Sequence, residues 1–170
     1  NAFNTAVGTN AGYAVTTGIQ NTFIGGLSGD ANTTANNNTA VGYNSFTANT
    51  TGTSNVALGA FALDANTTAS NNTAIGRGAL TANTTGASNI AVGINALVAN
   101  TTASNNTAVG AAALAANTTA TGGVGIGYRA LNVNTTGASN TAVGYDSLLA
   151  NTTGASNVAV GTNALDSNTT

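Results

Sequence analysis

The sequence predicts an all-β protein, a parallel β-solenoid or β-roll of ten 17-residue coils. Three observations predict it. Glycine recurs at Gly8, Gly25, Gly42, Gly59, Gly76, Gly93, Gly110, Gly127, Gly144 and Gly161, always 17 residues apart and without insertion, so ten units fill 170 residues. A unit of that length is too short for two helices and a turn, which need roughly 33 residues or more. Within each unit, β-branched residues are bracketed by Gly, Asn and Ser, the pattern of a short strand between turns. Ala and Leu favour helix, but Gly and Asn-Thr-Thr recur too often for a helix to run.

The elements follow when each unit is numbered from residues 1, 18, 35 and so on. Position 4 is Asn in nine units of ten, with Gly123 as the exception. Positions 5 to 7 read Thr/Val/Ile, Ala, Val/Ile/Leu and predict a strand. In Asn55-Val56-Ala57-Leu58, Val56 and Leu58 share one face, expected to point inward, and Ala57 takes the other. Position 11 is Ala or Ser, position 12 is Leu in seven units, and position 14 is mostly Ala. Leu63 and Ala65 are therefore expected as a second inward pair, giving two short strands and two turns per coil. Positions 15 to 17 are Asn-Thr-Thr in every unit but the first, where Val15 replaces Asn. Asn columns such as Asn72, Asn89 and Asn106 are expected to stack as amide ladders or turns. At an inter-strand spacing of ~4.8 Å, ten coils make a rod about 45–50 Å long. Residues 1–170 are expected to form a single solenoid segment of a longer fibre. Residues 1–34 are its two atypical coils, because Gly12 and Gly29 stand where Leu is expected and Phe3 and Phe23 are placed unusually.

Composition narrows the function. The only charged residues are Arg77, Arg129, Asp30, Asp64, Asp146 and Asp166, and there is no Lys, Glu, His, Cys, Met, Trp or Pro. Without a basic patch, binding to nucleic acid or anionic membrane has no electrostatic basis. No run approaches the ~20 apolar residues of a membrane span, so no membrane insertion is expected. Without His or Cys there is no catalytic triad and no soft-metal site. The four Asp are far apart, so paired-carboxylate hydrolysis is unsupported. The Gly-rich stretch Gly122–Gly127 keeps the 17-residue phase and precedes no helix, which argues against a phosphate loop. No enzyme, cofactor or metal site is expected.

Three sets of residues are candidates for contact. Position 6 is never polar. Its Ala40, Ala57, Ala74, Ala91, Ala108, Ala142 and Ala159 are read as a face against other copies of the chain; the alternative puts Ala57 inside a flattened monomer. Positions 9, 10 and 13 vary most and hold all six charges. Tyr43, Phe61, Arg77, Tyr128, Arg129, Tyr145 and Asp146 form a candidate outer contact face. The Asn-Thr-Thr segments offer Asn49, Thr51, Asn66, Thr68, Asn83, Thr85, Asn100, Thr102, Asn117 and Thr119. If extended, Asn and the second Thr form a two-column array able to order ice-like water. As sequons they are a glycan edge, and as turns they are structural only.

The string Ser54-Asn55-Val56-Ala57-Leu58-Gly59, recurring as Ser88-Asn89-Ile90-Ala91-Val92-Gly93, resembles the head repeat of trimeric autotransporter adhesins. Residues 38–42 and 140–144 are similar to Asn-Thr-Ala-Val-Gly repeats of bacteriophage tail-fibre-like proteins. The resemblance covers all ten units, although the 17-residue unit is two or three residues longer than the usual head repeat. It implies a left-handed parallel β-roll with three chains packed side by side. The expected function is a structural and adhesive extracellular fibre segment, part of a surface adhesin or of a virus or phage fibre. Its partners would be other copies of itself and a cell-surface receptor or glycan. Ice binding through the Asn-Thr-Thr ladder is the second expectation.

Overall fold

The computed structural model describes residues 2–170. It is a parallel β-solenoid of 17-residue coils with no helix among the described residues. Each coil contributes one three-residue strand, from β1 (Thr5–Val7) and β2 (Thr22–Ile24) through to β10 (Val158–Val160). The ten strands form one parallel sheet in sequence order. Register is strict: Val56 pairs with Thr73, Ala57 with Ala74 and Leu58 with Ile75, a step of 17 in each case.

The rest of the coil is built from turns. The amide of Ala62 donates to the carbonyl of Gly59, and that of Asn66 to Leu63, closing two successive turns within the coil. Between these turns the chain bonds to its neighbours without forming a ladder: Phe61 N–H reaches back to Tyr43 O, while Leu63 and Ala65 reach forward to Ala79 and Thr81. The expected second strand is therefore absent. The reason is local: positions 10 and 12 have positive φ in every coil, as at Phe61 (+60°) and Leu63 (+51°), which strand geometry excludes.

Two positions show why the chain needs its repeat. At position 8, φ lies between +127° and +141°, a region open only to glycine. A β-carbon on Gly76 would also stand 2.6 Å from the carbonyl oxygen of Gly93 in the next coil. At position 12, six buried leucines from Leu63 to Leu148 adopt φ of +50° to +55°. A left-handed conformation costs a branched L-residue about 1–2 kcal/mol. Burying a leucine contributes roughly 2–3 kcal/mol, enough to offset it.

The core is narrow and has two halves. In the apolar half, Ala at position 6, Ala or Ser at position 11 and Leu at position 12 pack together with almost no exposure in the inner coils. The polar half is made of asparagine. At position 15, Asn66 Nδ2 donates to Asn49 Oδ1 at 3.0 Å and Asn83 Nδ2 to Asn66 Oδ1 at 3.1 Å; the same bond recurs from Asn49 through to Asn168. At position 4, the backbone N–H of Asn72 donates to Asn55 Oδ1 at 2.9 Å, and Asn72 Nδ2 donates to Gly86 O at 2.9 Å. A side-chain amide ladder thus runs along position 15, while the expected column Asn72, Asn89 and Asn106 is joined by backbone N–H to Oδ1 bonds; both lie inside the coil.

Three of the atypical early residues belong together, while Phe3 lies exposed. Phe23 takes position 6 in place of Ala and is 1% exposed. Gly12 and Gly29 take position 12 in place of Leu on either side of its ring. One large side chain fills the volume that leucines fill elsewhere.

Candidate interaction surface

With Ala57 pointing inward, Val56 and Leu58 point outward. This reverses the expected sidedness of the strand. Ala40, Ala57, Ala74, Ala91, Ala108, Ala142 and Ala159 are at most 3% exposed within the single chain. They cannot be a face against other copies, and the alternative placement, inside a flattened monomer, is the one adopted. The cause is space. A 17-residue coil closed by two turns already holds one leucine, so the strand beside it can offer only a methyl group.

The residues displaced outward form a new surface. Position 7 runs Val7, Ile24, Val41, Leu58, Ile75, Val92, Val109, Ile126, Val143 and Val160. These aliphatic side chains are partly or largely exposed; Leu58, for example, is 43% exposed. Position 5, two residues earlier on the same face, alternates from the third coil onward: Thr39, Val56, Thr73, Ile90, Thr107, Val124, Thr141, Val158. The result is a sheet face carrying no charge along the rod. Exposed apolar area of this extent is uncommon on a monomer.

The aromatic and charged residues gather in two places along the turn face. Tyr43 and Phe61 meet edge to face with ring centroids 5.7 Å apart. Tyr128 and Tyr145 stack at 5.3 Å, and the guanidinium of Arg129 lies 5.2 Å from the Tyr128 ring centre. Arg129 Nε donates to Asp146 Oδ1 at 2.8 Å, and its Nη2 pairs with Oδ2. Asp146 is 7% exposed beneath the guanidinium, and this pairing raises Arg129 above its ordinary range. Arg77 stands exposed on the turn face. The two clusters lie five coils apart and do not form one site. Nor does the surface offer a cavity: the described residues enclose no pocket and no cluster of ligating side chains for a metal.

Asn49, Asn66, Asn83, Asn100 and Asn117 are fully buried ladder members. Of the ten candidate residues, the threonines Thr51, Thr68, Thr85, Thr102 and Thr119 are the ones that face solvent. A two-column array of Asn and Thr for ordering water does not exist, and in the folded coil these Asn amides are closed to glycan attachment. The first threonine of each triplet up to Thr152 is held by the stack, as where Thr67 Oγ1 donates to Thr84 O at 3.1 Å. Asn-Thr-Thr is a structural turn.

Comparison with protein-family models, curated proteins and solved structures finds no match. The outer surfaces of the fold therefore carry the functional reading.

Proposed function

We propose that the chain is a structural segment of an extracellular fibre, in which copies pack side by side, three about a common axis, through the aliphatic sheet face. The observation that carries this reading is the uncharged run of Val, Ile and Leu along position 7. A water-facing sheet surface ordinarily samples charged side chains, and none stands at position 5 or 7 in any coil. The face formed by positions 5 and 7 offers on the order of 1,000 Å² per chain, shared between two neighbours in a three-chain bundle, against ~800 Å² per partner in a stable two-chain interface. The resemblance to trimeric adhesin heads and phage fibres points the same way. The turn face, with Tyr43, Phe61, Arg77, Tyr128, Arg129, Tyr145 and Asp146, would then look outward, where an adhesive fibre meets a receptor or glycan.

The mass in solution tests the reading. The chain is expected as a three-chain particle, and Leu58→Glu with Val109→Glu as a single chain with unchanged β signal in circular dichroism. A wild-type chain that stays monomeric at high concentration overturns it.

A further inference from the structure

We infer that the Thr/Val alternation at position 5 is a register device, which sets identical coils of neighbouring copies at the same height; the inference rests on the side-by-side assembly proposed above. The partner is a second copy of this chain, and the surface is the sheet face.

Four features carry it. The alternation is unbroken over eight coils, from Thr39 to Val158. Position 7 beside it is uniformly aliphatic and cannot fix register, because every coil offers the same surface. Thr and Val have nearly the same shape, so the alternation changes hydrogen bonding while leaving the fit unaltered. Finally, the turn threonines spend their hydroxyls on the next coil, as at Thr50, Thr67 and Thr84. Among the described residues, the hydroxyls of Thr39, Thr73, Thr107 and Thr141 have no such bond within the chain, and they stand on the sheet face.

When copies pack about an axis parallel to the rod, these hydroxyls leave water. At equal height, threonine meets threonine and each hydroxyl finds a partner. Over the alternating coils, a slip of one coil, ~4.8 Å, sets threonine against valine or isoleucine and leaves a row of buried hydroxyls unpaired. A slip of two coils restores the match at the loss of two coils of overlap. The arrangement works as a single buried polar residue does in a coiled coil, where it selects alignment and adds little to strength.

The chain has no cysteine, so single probes report cleanly. Chains carrying Val92→Cys (sixth coil) are refolded together with chains carrying Ile75→Cys (fifth), Val92→Cys or Val109→Cys (seventh), then oxidised. The like-coil bridge is expected to exceed the unlike ones at least about fivefold, since a disulfide needs Cα atoms within ~7 Å. Replacing Thr39, Thr73, Thr107 and Thr141 together with Val should keep the assembled mass and spread the bridges over all three pairs. An assembled wild type with scrambled bridges, or a variant that keeps only the like-coil bridge, overturns the register device and leaves the assembly standing. A monomeric mass overturns both.

Discussion

The ring of Phe23 occupies the space in which a side chain at Gly29 would stand: a β-carbon there would lie 2.8 Å from Phe23 Cγ, and one at Gly12 would lie 2.9 Å from Cδ2. Gly29 has φ +60°, close to the +50° to +55° of the buried leucines at the same position in later coils. Backbone conformation therefore does not forbid leucine at residue 29; the phenyl ring does.

Phe23→Ala should cost about 3–5 kcal/mol, because nothing refills the cavity between the two glycines. Gly29→Leu alone should destabilise by overpacking, typically about 1–3 kcal/mol. Combining Phe23→Ala with Gly12→Leu and Gly29→Leu recreates the Ala/Leu arrangement of the later coils and should recover most of the loss. Denaturant unfolding of the set measures the coupling, and additive losses would sink the explanation.

Asn83 sits in the middle of the position-15 ladder. It donates to Asn66 Oδ1 and Gly86 O and accepts from Asn100 Nδ2 at 2.9 Å. Asn83→Ala leaves Asn66 Oδ1 without a partner, while Gly86 O keeps Asn72 Nδ2 and Asn100 Nδ2 keeps Ala103 O; it should cost roughly 1–3 kcal/mol. Thr85→Ala, on the exposed neighbour two residues away, should change stability by no more than about 0.5 kcal/mol. Thermal melts of both variants check the contrast.

Asp64 is partly buried, and its Oδ1 has no hydrogen-bond partner. Desolvation raises its carboxyl above the ordinary value, against a smaller lowering by the backbone amides of Ala65 and Asp64. The folded chain therefore holds the proton more tightly than the unfolded chain. The stabilisation tied to that proton is complete below the unfolded value of ~3.9 and is lost as pH rises through the higher folded value. Asp64→Asn should raise the melting temperature at pH 7 and give no gain near pH 3. An equal gain at both pH values would show that burial of the charge is not the cause.

The period, the stacking, the position-8 glycines and the asparagine ladders were all legible in the sequence, because each imposes one residue type at one spacing. The sidedness of the strand was not. Alternation in Val56-Ala57-Leu58 separates two faces without saying which is enclosed, and larger residues are ordinarily the inner ones. A usable signal lay within the chain: the one unit with Phe at position 6, Phe23, is flanked by glycines at position 12. Two positions that exchange volume must face each other, which places position 6 against the leucines. The burial of Asn66 and its equivalents had a similar sign. Positions 4 and 15 hardly vary, whereas positions 9, 10 and 13, on the outside, hold Tyr, Arg, Asp, Ala and Gly in turn. The missing second strand had no such sign, since leucine seldom adopts positive φ.

The position-15 ladder has a direction. In every bond from Asn49 to Asn168, the amide nitrogen of one coil points to the oxygen of the coil before it. The backbone bonds between coils alternate, some reaching back and others forward, so their dipoles largely cancel. The side-chain amides add head to tail, as peptide units do along a helix. The threonine hydroxyls of the neighbouring column point the other way, each to the carbonyl of the following coil, so the rod carries two antiparallel polar columns whose dipoles oppose one another.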